Sequence, residues 1–332
     1  MKRTLVRSAS IAVILVIIGF TLGWKLSQRS STPKVILAPA TQGSELVRFL
    51  AVGRQGYGTP STRKLSAAME RAAARSTTYF AILGGDNFHP HGVESVNDSQ
   101  WKTKFENQYN GAHLRGMPFY AVLGNHDYEG NPQPEIDYTT AGLGSGRWQM
   151  NDLYYYKDFG NAPDGRVLVR IAFMDMMAML DVEAVKRYEH LVPSRDEQIE
   201  FLKTTVDAPG DPVWKVIVGH NPLRTLAKRE AAVARTMTDL LPIAQSLDID
   251  MVVSSNDWFQ QLLDYPDEPL HVSTSGGPPE DRFEPVPFRN SDGIYTKTQQ
   301  GFAQISIEPG LLQVDLLNIN GDVSYTATRS KE

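Results

Sequence analysis

Five short segments of this chain carry side chains able to hold a metal ion or an anion, and each follows an apolar run. They are Gly53-Arg54-Gln55-Gly56, Gly85-Asp86-Asn87-Phe88-His89, Gly124-Asn125-His126-Asp127, Gly219-His220-Asn221-Pro222 and Ser255-Asn256-Asp257-Trp258. A lone Asp or Asn after a strand is ordinarily a turn residue, because its side chain bonds its own backbone there. Five such ends, with His126 and His220 among them, exceed what turn chemistry requires. Carboxylate, amide carbonyl and imidazole are suitable donors for a divalent cation. Arg54 and Trp258 interrupt the set. A guanidinium stays protonated and an indole has only a donor, so neither can ligate a metal.

To converge, these groups need strands that end together. Val47–Val52, Tyr79–Leu83, Phe119–Leu123, Trp214–Val218 and Asp250–Ser254 read as short buried strands, with another over Val167–Met174. Helical spacing of Leu65, Ala68, Met69 and Ala72 predicts a helix over Ser61–Ser76. Asp98 and Ser99 are cap candidates for a helix from Gln100 to about Leu114, and Ser194 with Glu197 forms a capping box for one to about Val206. A further helix is expected over about Arg229–Leu247, and the tail reads as strands over Gly301–Ile307, Leu311–Leu317 and Val323–Thr326. The alternation predicts an α/β layered fold, in which groups just past strand carboxyl ends meet on one edge.

Composition narrows the remaining classes. The 332 residues are 41% hydrophobic and 21% charged, which fits a globular domain with a sizeable core. A net charge of −5 gives no general reason to bind nucleic acid, and the absence of cysteine excludes disulfides and thiolate metal sites. Lys2, Arg3 and Arg7 precede an apolar run from Ala9 to Trp24. That run is slightly short of the roughly 20 residues of a spanning helix, with Trp24 and Lys25 placed to sit at the interface. A cleaved signal peptide is the other reading, but Ala38-Pro39-Ala40 comes late for a cleavage site. The expected organisation is a short cytoplasmic tail (1–8), a transmembrane signal anchor (9–25), a linker (26–44) and a domain over 45–328. Positive charge before the anchor would put that domain in the periplasm or a lumen.

The text around the five segments is also distinctive. Phe49-Leu-Ala-Val-Gly53, Leu83-Gly-Gly-Asp-Asn-Phe88, Tyr120-Ala-Val-Leu-Gly-Asn-His-Asp127, Arg147-Trp148, Val218-Gly-His-Asn-Pro222 and Gly301-Phe-Ala303 span most of Val47–Thr326. This pattern resembles the calcineurin-like metallophosphoesterases, and within them the small purple acid phosphatases of the tartrate-resistant type. The resemblance implies two packed β-sheets flanked by helices and two metal ions bridged by Asp86. It puts Asn125, His220 and Asn256 with Asp86 at the second metal, and Arg54, His89 and Trp258 at the first. It gives His126 to the substrate phosphate, with Asp127 orienting its ring, and places Arg229 where a histidine would protonate the leaving group.

Several of these positions are degenerate. Arg54 and Trp258 cannot ligate, Arg229 cannot act as an acid near neutral pH, and Asn256 offers only a neutral carbonyl. A guanidinium about 4 Å from a divalent ion costs about 8 kcal/mol at an effective dielectric near 20, which His89, with His91 nearby, does not offset. The pattern leaves room for one divalent ion (iron, zinc or manganese) at Asp86, Asn125, His220 and Asn256, and argues against a two-metal centre. Two-metal hydrolysis needs both ions, to activate water and to clamp the phosphate. Arg54 is then either a structural ion pair with Asp86 or, with Arg229 and His126, part of an anion site. Two functions follow: a membrane-held pseudoenzyme binding phosphate, a phosphorylated ligand or a protein, or a single-metal phosphomonoesterase. His113, His190 and His271 read as surface or packing residues, and Met174, Met176, Met177 and Met179 as core filling.

Overall fold

The computed structural model describes residues 43–179, 183–206, 208–227, 231–278 and 293–331. The expected tail, membrane segment and nearly all of the linker lie outside these residues, as does Arg229. Among the described residues no helix is long and apolar enough to cross a membrane.

Among the described residues, fourteen strands form two seven-stranded sheets, in keeping with the α/β reading. The first sheet runs β14(Val323–Ser330)-β13(Leu311–Asn318)-β12(Gly301–Glu308)-β1(Val47–Val52)-β2(Phe80–Leu83)-β3(Phe119–Ala121)-β4(Trp148–Gln149). The second runs β11(Ile294–Lys297)-β9(Gln260–Leu263)-β10(Leu270–Ser273)-β8(Met251–Ser254)-β7(Trp214–Val218)-β6(Val167–Phe173)-β5(Tyr155–Asn161). β1 to β4 are parallel to one another, and so are β6, β7, β8 and β10, so their carboxyl ends point one way within each sheet. The expected tail strands form the antiparallel meander β12–β13–β14, which pairs to β1.

The period-2 pattern of the second sheet explains why both its faces are covered. On β6, β7 and β8, Ile171, Val216, Val218, Met251 and Val253 enter the core shared with the first sheet, while Ala172, Ile217 and Val252 enter a second core. That second core is completed by Leu202 and Val206 of one helix (Arg195–Val206) and Leu240 and Ala244 of another (Ala231–Ser246). Full burial of an Ile or Val contributes about 1.5–3 kcal/mol, so each alternate position holds a different layer in place. Between the sheets Phe80 stacks on Phe159 at 4.1 Å between ring centroids, and Trp214 Nε1 donates to the Glu308 carbonyl. Met174, Met176 and Met177 are buried, as gap-filling predicts.

Local rules set most helix starts. The helix Pro60–Arg75 begins with Pro60 at its first turn and with Thr59 Oγ1 accepting from the Thr62 amide. Ser194 and Glu197 make both bonds of the capping box. The helix expected from Gln100 to Leu114 does not form as such; only a π-helical turn over Trp101–Glu106 is regular. Two buried or partly buried charges from elsewhere capture its backbone instead. Arg147 donates to the carbonyls of Glu106, Tyr109 and Leu114, and Glu70 accepts from the amides of His113 and Leu114. Gly111 is packed so closely that a Cβ there would lie 2.1 Å from Glu70 Oε2.

Candidate metal centre

The five segments do meet at the carboxyl ends of β1, β2, β3, β7 and β8. Asp86 follows β2 after Gly84 and Gly85, and it sits in the left-handed region with φ 55°, as does Arg54 after β1 with φ 53°. Such backbone at a non-glycine residue costs of order 1–3 kcal/mol and persists only where the surroundings hold it. The neighbours leave no alternative: a Cβ on Gly124 would lie 2.3 Å from the Asp86 amide nitrogen, and one on Gly85 2.6 Å from His220 Nδ1.

One flank of Asp86 keeps cation-binding character. Asp86 Oδ1 is 3.3 Å from His220 Nε2, which is 3.3 Å from Asn125 Oδ1. His220 Nδ1 donates to the Gly84 carbonyl at 2.8 Å, since a carbonyl can only accept, and this aims Nε2 at the two oxygens. Burial alone would raise Asp86, but His220, the bond to His89 and His126 outweigh it and hold the carboxyl below the ordinary range. An imidazole nitrogen with a carboxylate and an amide oxygen each 3.3 Å from it is a donor set that suits a divalent cation. Asn256, the fourth expected ligand, is held by its amide on the His220 carbonyl, and its side-chain nitrogen donates to Asn221 Oδ1 at 2.5 Å.

The other flank is filled by protein. Arg54 Nε is 3.7 Å from Asp86 Oδ2, and its guanidinium lies 3.2 Å from the centre of the Trp258 ring. Arg54 also donates to Ser275 Oγ at 3.1 Å and Tyr57 OH at 2.6 Å, and it is 1% exposed. This is a fixed cation in a charge-assisted frame, stacked on an indole. Arg54 thus makes the ion pair with Asp86 that one of its two readings expected. The residues of this flank therefore do not fit the first metal of a dinuclear centre.

A model of the calcineurin-like phosphoesterases matches residues 58–255. The chain belongs to the calcineurin-like phosphoesterase family. It is 25% identical to purple acid phosphatase 3 of Arabidopsis thaliana over 319 residues, covering 90% of this chain and 82% of that protein. It is 29% identical to tartrate-resistant acid phosphatase type 5 of Oryctolagus cuniculus over 210 residues, 58% of this chain and 62% of that one. In fold it is similar to GAP50, the anchor in the inner membrane complex of Plasmodium, with a TM-score of 0.72, 18% identity and coverage of 86% and 89%. It is also similar to purple acid phosphatase PPD1 from yellow lupin, with a TM-score of 0.61, 15% identity and coverage of 88% and 55%. The layered fold expected from the sequence, with two packed sheets, is that of this phosphoesterase family.

Other site residues are placed differently from the expectation. Asp127 does not orient His126. Its carboxylate accepts from the amides of Asn87, Phe88 and Gly124 and so clamps two site loops together. His126 Nδ1 instead donates to the Pro90 carbonyl at 2.6 Å, and the His126 amide donates to Asp86 Oδ1 at 3.1 Å. Burial and the charge of Asp86 push Asp127 up to about 8, and burial with Asp127 raises its neighbour Glu135 as well. Asn87 bridges the two carboxyls, donating to Glu135 Oε2 at 3.1 Å. His91 lies apart, exposed and 2.7 Å from Glu129, and gives His89 no help. Asp257 is buried and accepts from Thr225 and Gln261, which shapes the turn.

Two participants escaped sequence reading. Tyr57 both bonds Arg54 and stacks on His89 at 3.9 Å between centroids. Ser275 follows β10 just before Gly276 and Gly277, a sixth strand end whose glycine pair was the available signal.

Proposed function

We propose that this phosphoesterase homologue is a membrane-held binding module from which efficient hydrolysis has been lost. The observation that supports this is Arg54, whose guanidinium occupies one flank of Asp86 and rests on Trp258. A hydrolytic dinuclear centre needs a second ion on that flank to generate hydroxide and to neutralise the phosphate. Arg54 neutralises Asp86 but carries no water to deprotonate. Binding, to a phosphorylated ligand or to a protein, takes the place of turnover. The likeness of fold to GAP50, described as an anchor, supports a scaffold that serves by holding. The full chain should hydrolyse an activated aryl phosphate near background from acidic to neutral pH, with or without iron, zinc or manganese.

A second reading is favoured by one observation: Asp86, Asn125 and His220 converge as a cation site with a properly aimed imidazole. On that reading the protein is a single-metal phosphomonoesterase with Arg54 standing for the missing cation. A robust, metal-dependent rate abolished by Asp86→Ala or His220→Ala would establish it and overturn the first.

The apolar run after Lys2, Arg3 and Arg7 supports a signal anchor with the domain outside the cytoplasm. A periplasmic or luminal reporter fused after Glu332 should be active and the mature chain should keep its N-terminus. A soluble form starting near Thr41 would show a cleaved signal peptide instead.

A further inference from the structure

We propose that the exposed face of the helix Pro60–Arg75 is a docking surface for an anionic lipid bilayer, which it meets through charge alone. The inference rests on the reading of the chain as membrane-held and is independent of whether phosphate is hydrolysed. The helix buries Leu65, Ala68, Met69 and Ala72 in the core and turns Arg63, Lys64, Ala67, Arg71, Ala74 and Arg75 to solvent. At 3.6 residues per turn these six positions fall within about a third of the circumference. Arg63, Lys64, Arg71 and Arg75 are cations, and no acid stands among them. Glu70, at the shoulder of this face, is taken up by His113, whose Nδ1 lies 2.7 Å from Glu70 Oε1 and whose amide donates to the same oxygen.

Local structure does not ask for such a face. Arg71 and Arg75 are one turn apart, a like-charge spacing that weakens a helix, and Arg63 and Lys64 stand toward the amino end, where the dipole opposes a cation. Only Arg75, in the last turn, is accounted for by the dipole. The charge of the domain does not ask for it either. Residues 1–42 hold six Lys and Arg and no acid, so the rest of the chain carries −11 against −5 for the whole. The helix thus presents a single-sign patch on an acidic domain, and among the described residues none of its four cations forms an ion pair. Arg63, Arg71 and Arg75 donate instead to the carbonyls of Gly58, Asn320 and Gly321, which steadies their stems and leaves their charge unneutralised. Arg48 of β1 adds a further cation just past the end of the helix, donating to the Thr77 carbonyl.

The chemistry of the face selects a membrane over a protein. A protein interface has an apolar centre rich in aromatic side chains. Here Ala67 and Ala74 fill the space between the cations, and the exposed large hydrophobic side chains Tyr156, Leu191, Leu311 and Val323 lie on other elements. Long cationic side chains standing out from small residues suit a charged plane that offers no pocket. The acidic remainder of the domain is repelled by the same plane. With a Debye length of about 8–10 Å near physiological salt, only charges brought close to the bilayer count, so attraction is confined to this face. The path of the chain agrees. It enters the described domain at the amino end of β1, where Ser44 Oγ is 3.1 Å from Tyr79 OH, and the helix leads through Thr77 to the adjacent amino end of β2. Arg48, Arg71 and Arg75 therefore lie toward the edge at which the chain arrives, and a tether to a bilayer raises the local concentration of that surface for them.

The chain has no cysteine, so a fluorophore on Ala67→Cys, or on Thr204→Cys in the helix Arg195–Val206 of the other sheet, reports a single position. The full chain is reconstituted into phosphatidylcholine vesicles with or without phosphatidylglycerol, an acceptor dye is carried on a lipid headgroup, and energy transfer is read. In vesicles with phosphatidylglycerol, transfer from the Ala67→Cys label should exceed that from the Thr204→Cys label at least about twofold. The two should draw level in pure phosphatidylcholine, and also when salt is raised from about 0.1 M to about 1 M. Lys64→Gln, Arg71→Gln and Arg75→Gln together should level them as well, with circular dichroism melts showing that the fold holds. If that variant does not fold, Arg63→Gln with Lys64→Gln takes its place, and the lipid and salt arms need no variant beyond the labels. Equal transfer from both labels with phosphatidylglycerol present overturns the proposal. So does an excess at Ala67→Cys that persists in phosphatidylcholine or at high salt, because the orientation would then not come from the basic face. A chain that washes off the vesicles at alkaline pH overturns the anchor reading instead, and transfer measured before the wash still decides the role of the helix.

Discussion

Arg54→Met should lower the unfolding free energy by about 3–5 kcal/mol, the range found when one partner of a buried ion pair is removed. Met fills similar volume and tolerates the same left-handed backbone no better and no worse than Arg, so the loss reports charge and hydrogen bonds. Asp86, whose side chain is 2% exposed, would lose the guanidinium beside it, and Ser275 and Tyr57 would lose the bonds that Arg54 donates. Arg54→Lys separates the two contributions. Lysine keeps a charge but not the planar fork that reaches Asp86, Ser275 and Tyr57 together and lies flat on Trp258. It should fall between wild type and Met. Denaturant midpoints measured with chelator present check the order. A loss below about 1 kcal/mol for Met would place Arg54 among replaceable surface pairs, contrary to a role as internal cation.

Much of this centre was legible in the chain because its positions follow short-range rules. Apolar runs ending in Gly53, Gly85, Gly124 and Gly219 mark strands whose carboxyl ends are crowded, and the polar residue that follows each lies at the common edge. Asp86, Asn125 and His220 fell together for that reason. What was not legible depends on contacts distant in sequence. Arg147 and Glu70 redirect the backbone of residues 106–114 from outside the segment, so helical spacing there misleads. Asp127 and His126 are neighbours in sequence yet turn to different partners, one to loop amides and the other to Pro90. That Trp258 would be the floor under Arg54, rather than only a lost ligand, is invisible in sequence. Guanidinium and indole are 204 positions apart in the sequence, and nothing local links them.

That floor governs what restoration of activity requires. Arg54→Asp alone should do little: it removes the opposing charge, but Trp258 still fills the place of a ligand and donates where a lone pair is needed. It also sets a second buried carboxylate beside Asp86, which destabilises the metal-free fold. Arg54→Asp, His89→Tyr, Asn256→His and Trp258→His together should bring two metal ions per chain, because each flank of Asp86 then has its full set of oxygen and nitrogen donors. Arg229→His supplies leaving-group protonation and should add about 10²–10⁴-fold to aryl phosphate hydrolysis, the usual worth of a positioned general acid. Metal content by elemental analysis and initial rates on the fivefold variant check both steps. The order of effects is itself diagnostic. If Arg54→Asp alone already gave two metals and measurable turnover, Trp258 would not be the obstacle that its stack on Arg54 implies. If the fivefold variant folded but bound no second ion, the scaffold would have diverged beyond its ligands, and the centre would be shaped for Arg54 rather than merely occupied by it.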